Sequence, residues 1–150
     1  MKKINIKELV ISFSVVAILV LASMIFTKGS MDFYRELIKP DLAPPPILFP
    51  IVWTILYTII AITLYYFRNN KEIRKAIIIN LVINVIWPIL FFRFKLFLIS
   101  ALWLLFIIVT LLIELIKISK VDKKFVLLNL PYLLWSVFAL YLNFMIYIYN

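Results

Sequence analysis

Phe49, Trp53 and Tyr57 recur at every fourth position of one apolar stretch, a spacing that sets three aromatic rings on a single stripe of a helix. Further along, Asn80 and Asn84 share a stripe that Trp87 and Phe91 continue. Tyr132, Trp135, Ala139 and Asn143 then repeat the pattern at spacings of three and four. Rings and amides so arranged suit one kind of chemistry: aromatic faces stack on a flat apolar ligand while amides orient it by hydrogen bonds. Blander readings stay open beside this one. Asparagine in a hydrocarbon span also serves as interhelical glue, and tryptophan also anchors helices at headgroup level, the role expected of Trp103. The chain has no Cys and no His, which removes disulfides, thiol nucleophiles, histidine bases and the usual zinc and histidine-ligated haem sites together. No catalytic residue and no metal ligand is expected, and no cofactor is required. Glu114 is the one carboxylate close to a membrane segment, and it is expected to snorkel beside Lys117.

The elements that must carry these stripes are membrane helices. Of the 150 residues 66% are apolar, 15% are charged and one is glycine, a balance far from that of soluble domains. Five charge-free stretches, beginning at Leu9, Leu42, Ala76, Leu96 and Phe125, run for 17 to 26 residues each. A helix needs about 17–25 residues to cross the hydrocarbon core, and the stretches lack the alternation of barrel strands. The expected fold is all-α: one integral membrane domain over residues 1–150, a bundle of five transmembrane helices near 6–27, 47–67, 74–92, 96–117 and 124–148. The first stretch is too long for a signal-peptide core and is read as a helix. Eleven Lys and Arg residues, Lys2, Lys3 and Lys7 among them, fall on the side of the N-terminus, and five fall opposite. The positive-inside rule then puts the N-terminus in the cytoplasm and the C-terminus outside. The net charge of +9 is thus topological, with attraction to anionic membrane lipid as a secondary effect and no nucleic-acid partner implied.

The long connection, residues 28–46, lies on the outer side. Gly29 is expected to end the first helix and Ser30 to cap a short helix over "MDFYRELI", which stops before Pro40. Pro44, Pro45 and Pro46 impose a stiff extended connector, and Pro50 is tolerable in the first turn of the next helix. A lid held at a fixed height over an aromatic cavity is the result. Pro88 and Pro131 are expected to kink or start their helices and open space within the bundle.

Three segments in order carry a resemblance. "KPDLAPPPILFPIVWTILY", "NVIWPILFF" and "PYLLWSVFALYLN" are similar to the motifs KP-x-x-x-PP-x-x-x-FP-x-VW-x-x-LY, N-x-x-W-x-x-x-FF and PY-x-x-W-x-x-FA-x-x-LN of the TspO/MBR family, the tryptophan-rich sensory proteins and the mitochondrial translocator protein. The resemblance covers nearly the whole chain. It implies a homodimeric five-helix bundle that binds a porphyrin, protoporphyrin IX or haem, or another flat hydrophobic molecule such as a benzodiazepine-site ligand. By position, it implies that Trp53 and Trp135 are cavity tryptophans, Asn84 and Trp87 the third-helix motif, Ala139 the small residue beside the ligand and Tyr34 the loop tyrosine. Phe33 stands where the family has a tryptophan, and no basic residue follows the final tyrosines, so the family's sterol motif is unmatched. A binding protein and sensor in a bacterial cytoplasmic membrane is the first expectation. An enzyme for light- and oxygen-dependent porphyrin breakdown is the second, and a transporter fits least because inverted repeats and paired membrane charges are lacking.

Overall fold

The computed structural model describes residues 4–150, so Lys2 and Lys3 of the charge count lie outside it. Six α-helices and no strand occur among the described residues: α1 (Ile6–Phe26), α2 (Ser30–Glu36), α3 (Leu48–Tyr66), α4 (Lys71–Pro88), α5 (Phe97–Ser119) and α6 (Lys123–Tyr149). Five of them, all but α2, are long and apolar enough to cross a membrane. A single turn of π-helix, Ile89–Arg93, extends α4 directly after Pro88. Proline has no amide to close the preceding turn, so a wider turn there follows from the covalent structure.

Three helix N-termini are fixed by side-chain caps. Asn5 accepts from the Glu8 amide, Asn70 from Ile73 and Asp122 from Lys124, each satisfying a donor that the first helical turn leaves free. Because Asn70 caps α4, that helix starts at Lys71, three residues before the expected 74. Gly29 does not end α1. The C-cap is Thr27, and Gly29, at φ 82°, instead occupies the N-cap of α2, which places Ser30 inside the helix and leaves it no capping role. Helix α2 is also shorter than expected, because Leu37 is already extended.

Helix α5 packs most extensively on α6 and then on α4, while α1 leans on α3 and α4. Two apolar clusters fill the bundle. Leu56, Ile60, Ile77, Leu81, Leu111 and Leu115 belong to one, and Tyr34 of α2, with Trp87, Phe91, Leu104, Ile107 and Ile146 beneath it, to the other. Glu114 is not paired with Lys117. Its carboxylate faces the protein interior with 3% of the residue exposed, and the Lys117 ammonium reaches across to Glu72 at 3.2 Å instead. Glu114 lies among the buried residues Leu111, Leu115 and Ile118, whereas the Lys117 side chain is partly exposed and free to reach Glu72.

The short helix α2 is tied down from several sides. The Lys39 ammonium donates to the carbonyls of Tyr34, Arg35 and Leu37 at 2.7–3.1 Å, closing its C-terminal end. The side-chain amide of Asn150 clasps the backbone of Ile38 with both hands, accepting from its N–H at 3.0 Å and donating to its carbonyl at 2.9 Å. Phe33 stacks parallel on Phe97 at 6.2 Å, and the Lys95 ammonium sits 4.3 Å from the centre of the Phe33 ring.

Candidate functional site: an aromatic cavity beneath α2

A cavity of about 470 Å³ opens between α1, α3, α4 and the start of α2. The stripe of α3 forms one wall, with Phe49, Trp53 and Tyr57 all lining it, and Trp87 of α4 faces them. Trp53 stacks on Tyr57 at 5.3 Å and 26°, and lies 6.5 Å from Trp87 at a similar tilt. Trp53 is thus stacked on one ring and tilted against another, and all three border one space. The opposite wall comes from Val20, Ser23, Met24 and Thr27 of α1, and Lys28, Ser30 and Asp32 make the polar mouth.

Other candidate residues gather nearby without lining that space. Tyr34, Phe91, Ala139 and Asn143 surround a separate hollow of about 20 Å³ under α2, room for about one water. Phe49, Trp87 and Phe92 border both and form the partition. Tyr34 is buried by Phe49 and Phe92, which meet it edge-on at 5.2 and 6.4 Å; its hydroxyl has no protein partner, and burial holds the phenol above its ordinary range. Trp135 lines neither space. It packs edge-to-face behind Phe49 at 6.0 Å with its indole N–H buried and unpaired, so Phe49 stands between the two expected cavity tryptophans.

The asparagines lie behind Tyr57, outside the lining of the cavity. Tyr57 Oη donates to Asn84 Oδ1 at 3.0 Å, Asn84 Nδ2 donates to Tyr132 Oη at 2.9 Å, and Tyr132 Oη donates to Asn80 Oδ1 at 2.7 Å. Asn80 Nδ2 then donates to the carbonyl of Ile107 at 3.0 Å and to Thr110 Oγ1 at 2.8 Å. One hydrogen-bonded chain thus crosses from α3 through α4 and α6 to α5. Asn80, Asn84 and Tyr132 are each at most 2% exposed, so every polar atom in the chain needs the partner it has. Asn143 plays a similar part higher in the bundle, accepting from Trp87 Nε1 at 2.9 Å and donating to the Phe97 carbonyl at 2.8 Å. The bland reading of the asparagines as interhelical glue and the reading of them as site residues both describe real contacts: Asn84 joins helices and also holds Tyr57, a cavity residue.

Sequence reasoning missed the α1 wall. A signal existed in Ser23 and Thr27, two small polar residues one turn apart in an apolar helix, and Thr27 Oγ1 donates back to the Ser23 carbonyl at 3.1 Å. Asn129 was missed as well. It is buried and joins α6 to α3 by donating to Thr63 Oγ1 at 2.9 Å.

Comparison with known proteins adds the last finding. The sequence profile of the TspO/MBR family matches residues 10–148. The chain is 34% identical to a tryptophan-rich protein TspO of Archaeoglobus fulgidus over 97% of its own length and 99% of that protein's. It is 32% identical to one of Chlorobaculum tepidum over 79% of its length and 80% of the relative's, and 31% identical to the uncharacterized membrane protein YtaB of Bacillus subtilis over 77% and 78%.

Proposed function

The chain belongs to the TspO/MBR family, and from that premise we propose that it is a membrane receptor that binds a porphyrin of the protoporphyrin IX type in the cavity beneath α2 and acts as its sensor. The observation that carries this reading is the cluster of Trp53, Tyr57 and Trp87, with Trp53 stacked on Tyr57 and tilted by 32° against Trp87, bordering a space of about 470 Å³. That volume falls in the range of about 300–1,000 Å³ typical of small-molecule sites, with an apolar lining and few polar groups. Burial of the macrocycle, at about 25 cal/mol per Å², supplies most of the affinity, and each stacked ring adds about 1 kcal/mol. Lys28 at the mouth suits a ligand with carboxylates at its edge. On the sidedness given by the lysines and arginines, the cavity opens toward the outer face, and a second copy of the chain is the proposed partner.

Titration of the purified protein with protoporphyrin IX in the dark, followed by illumination, tests the reading. Saturable binding with stable pigment is the expected result. Multiple turnover to a defined product would replace the sensor with an enzyme, and absence of saturable binding would overturn both.

A further inference from the structure

The hydrogen-bonded chain behind Tyr57 has a fixed direction. A backbone carbonyl can only accept, so the Ile107 carbonyl fixes which end of the Asn80 amide is nitrogen. Asn80 Oδ1 must then face Tyr132, and Tyr132 must donate to it. With its proton so committed, Tyr132 can only accept from Asn84, which turns Asn84 Nδ2 toward α6 and Asn84 Oδ1 toward Tyr57. Tyr57 is therefore obliged to donate inward, and its proton is withheld from the cavity. Two other hydroxyls on the wall are committed in the same sense: Thr54 donates to the Pro50 carbonyl at 2.7 Å and Thr27 to the Ser23 carbonyl at 3.1 Å. What these three groups offer a ligand is oxygen lone pairs.

We infer that the cavity wall at Tyr57 acts as an obligate hydrogen-bond acceptor, so that the site selects flat apolar ligands bearing an N–H or O–H donor over ligands of the same shape bearing only an acceptor. The inference rests on the reading of this cavity as a flat-ligand site and deepens it. Polarity is imposed on Tyr57 from α5, three side chains away, by a carbonyl that never meets the ligand. Asn84 is the positioning residue that transmits it. Other donors remain on the wall, among them the Trp53 indole and the Lys28 ammonium, so ligand acceptors are not barred from the cavity as a whole. Discrimination belongs to the Tyr57 position.

Carbazole and dibenzofuran are suitable probes, since they share a flat tricyclic shape and differ in a ring N–H against a ring oxygen. Equilibrium dialysis of each against the detergent-solubilised protein gives the ratio of their affinities in wild type, in Tyr57→Phe and in Asn84→Leu. Dividing by the Tyr57→Phe ratio cancels the difference in partitioning into micelles. Wild type is expected to favour carbazole by about 5- to 10-fold on that scale, the worth of one hydrogen bond formed against one acceptor facing another. Asn84→Leu removes the acceptor that holds the Tyr57 proton, so the preference should turn toward dibenzofuran. A wild-type ratio equal to that of Tyr57→Phe overturns the inference, as does failure of the protein to take up either probe while protoporphyrin IX still binds; in both cases the receptor reading stands. Failure of all three ligands to bind overturns the receptor reading together with this one.

Discussion

At the scale of residues, Trp53 and Trp135 separate into two roles. Trp53 faces the cavity, whereas Trp135 is screened from it by Phe49. Trp53→Leu should therefore weaken porphyrin binding by about 1–2 kcal/mol in fluorescence titration, and Trp135→Leu should leave affinity within about threefold of wild type. Trp103 is the internal control. Its indole donates to the Ile83 carbonyl at 2.8 Å and so hooks α5 to α4, and Trp103→Leu should lower stability without selective loss of binding. Tyr132→Phe strips a hydroxyl that both accepts and donates within the buried chain, leaving Asn84 Nδ2 and Asn80 Oδ1 without partners. A loss of about 1–3 kcal/mol in unfolding stability is expected, read as a lowered thermal midpoint in detergent. The spacing of Asn80, Asn84 and Tyr132 on their helices was legible in the sequence. Their order of donation was not, because it depends on which carbonyl of a different helix lies opposite Asn80.

Among the elements, the five long helices could be read directly because each is a charge-free run of membrane length. The proline connector is not extended throughout as expected: Pro46 and Ile47 form a turn into α3, with the Leu48 N–H donating to the Pro45 carbonyl at 3.0 Å. Two more features were not readable. Gly29 looks like a helix stop by type, yet the chain reaches its left-handed turn only after Thr27 has closed α1, a difference of two residues that local propensity does not resolve. The contribution of α1 to the cavity was hard to read because its wall residues carry no aromatic or amide group, only the Ser23 and Thr27 hydroxyls, and packing against α3 and α4 is what brings Val20 and Ser23 to the wall. The lid depends on two separate restraints, and each gives a prediction. Replacing Pro44 and Pro45 with Gly should weaken ligand binding while leaving helical circular dichroism unchanged, since only the entropy of the connector rises. Asn150→Leu removes both hydrogen bonds to Ile38 and should speed ligand dissociation in stopped-flow measurements, with the cavity lining untouched.

For the whole molecule, the sidedness proposed from the lysines and arginines is checked by single cysteines at Ser30 and Asn70 in intact cells. An impermeant thiol reagent should label position 30 and spare position 70; the reverse pattern would invert the topology. The four indoles of the bundle stand in three different states. Trp87 and Trp103 donate to Asn143 and to the Ile83 carbonyl, Trp135 is enclosed with no acceptor, and Trp53 borders the cavity. Nitrogen-15 labelling of the indoles turns that difference into a spectrum. Two resonances should lie downfield and resist exchange with deuterated water, a third should resist exchange without the downfield shift, and the fourth should exchange readily until a ligand fills the space beside it. The protein thus carries its own set of isotopic reporters, with three to certify that the bundle is intact and one to record occupancy.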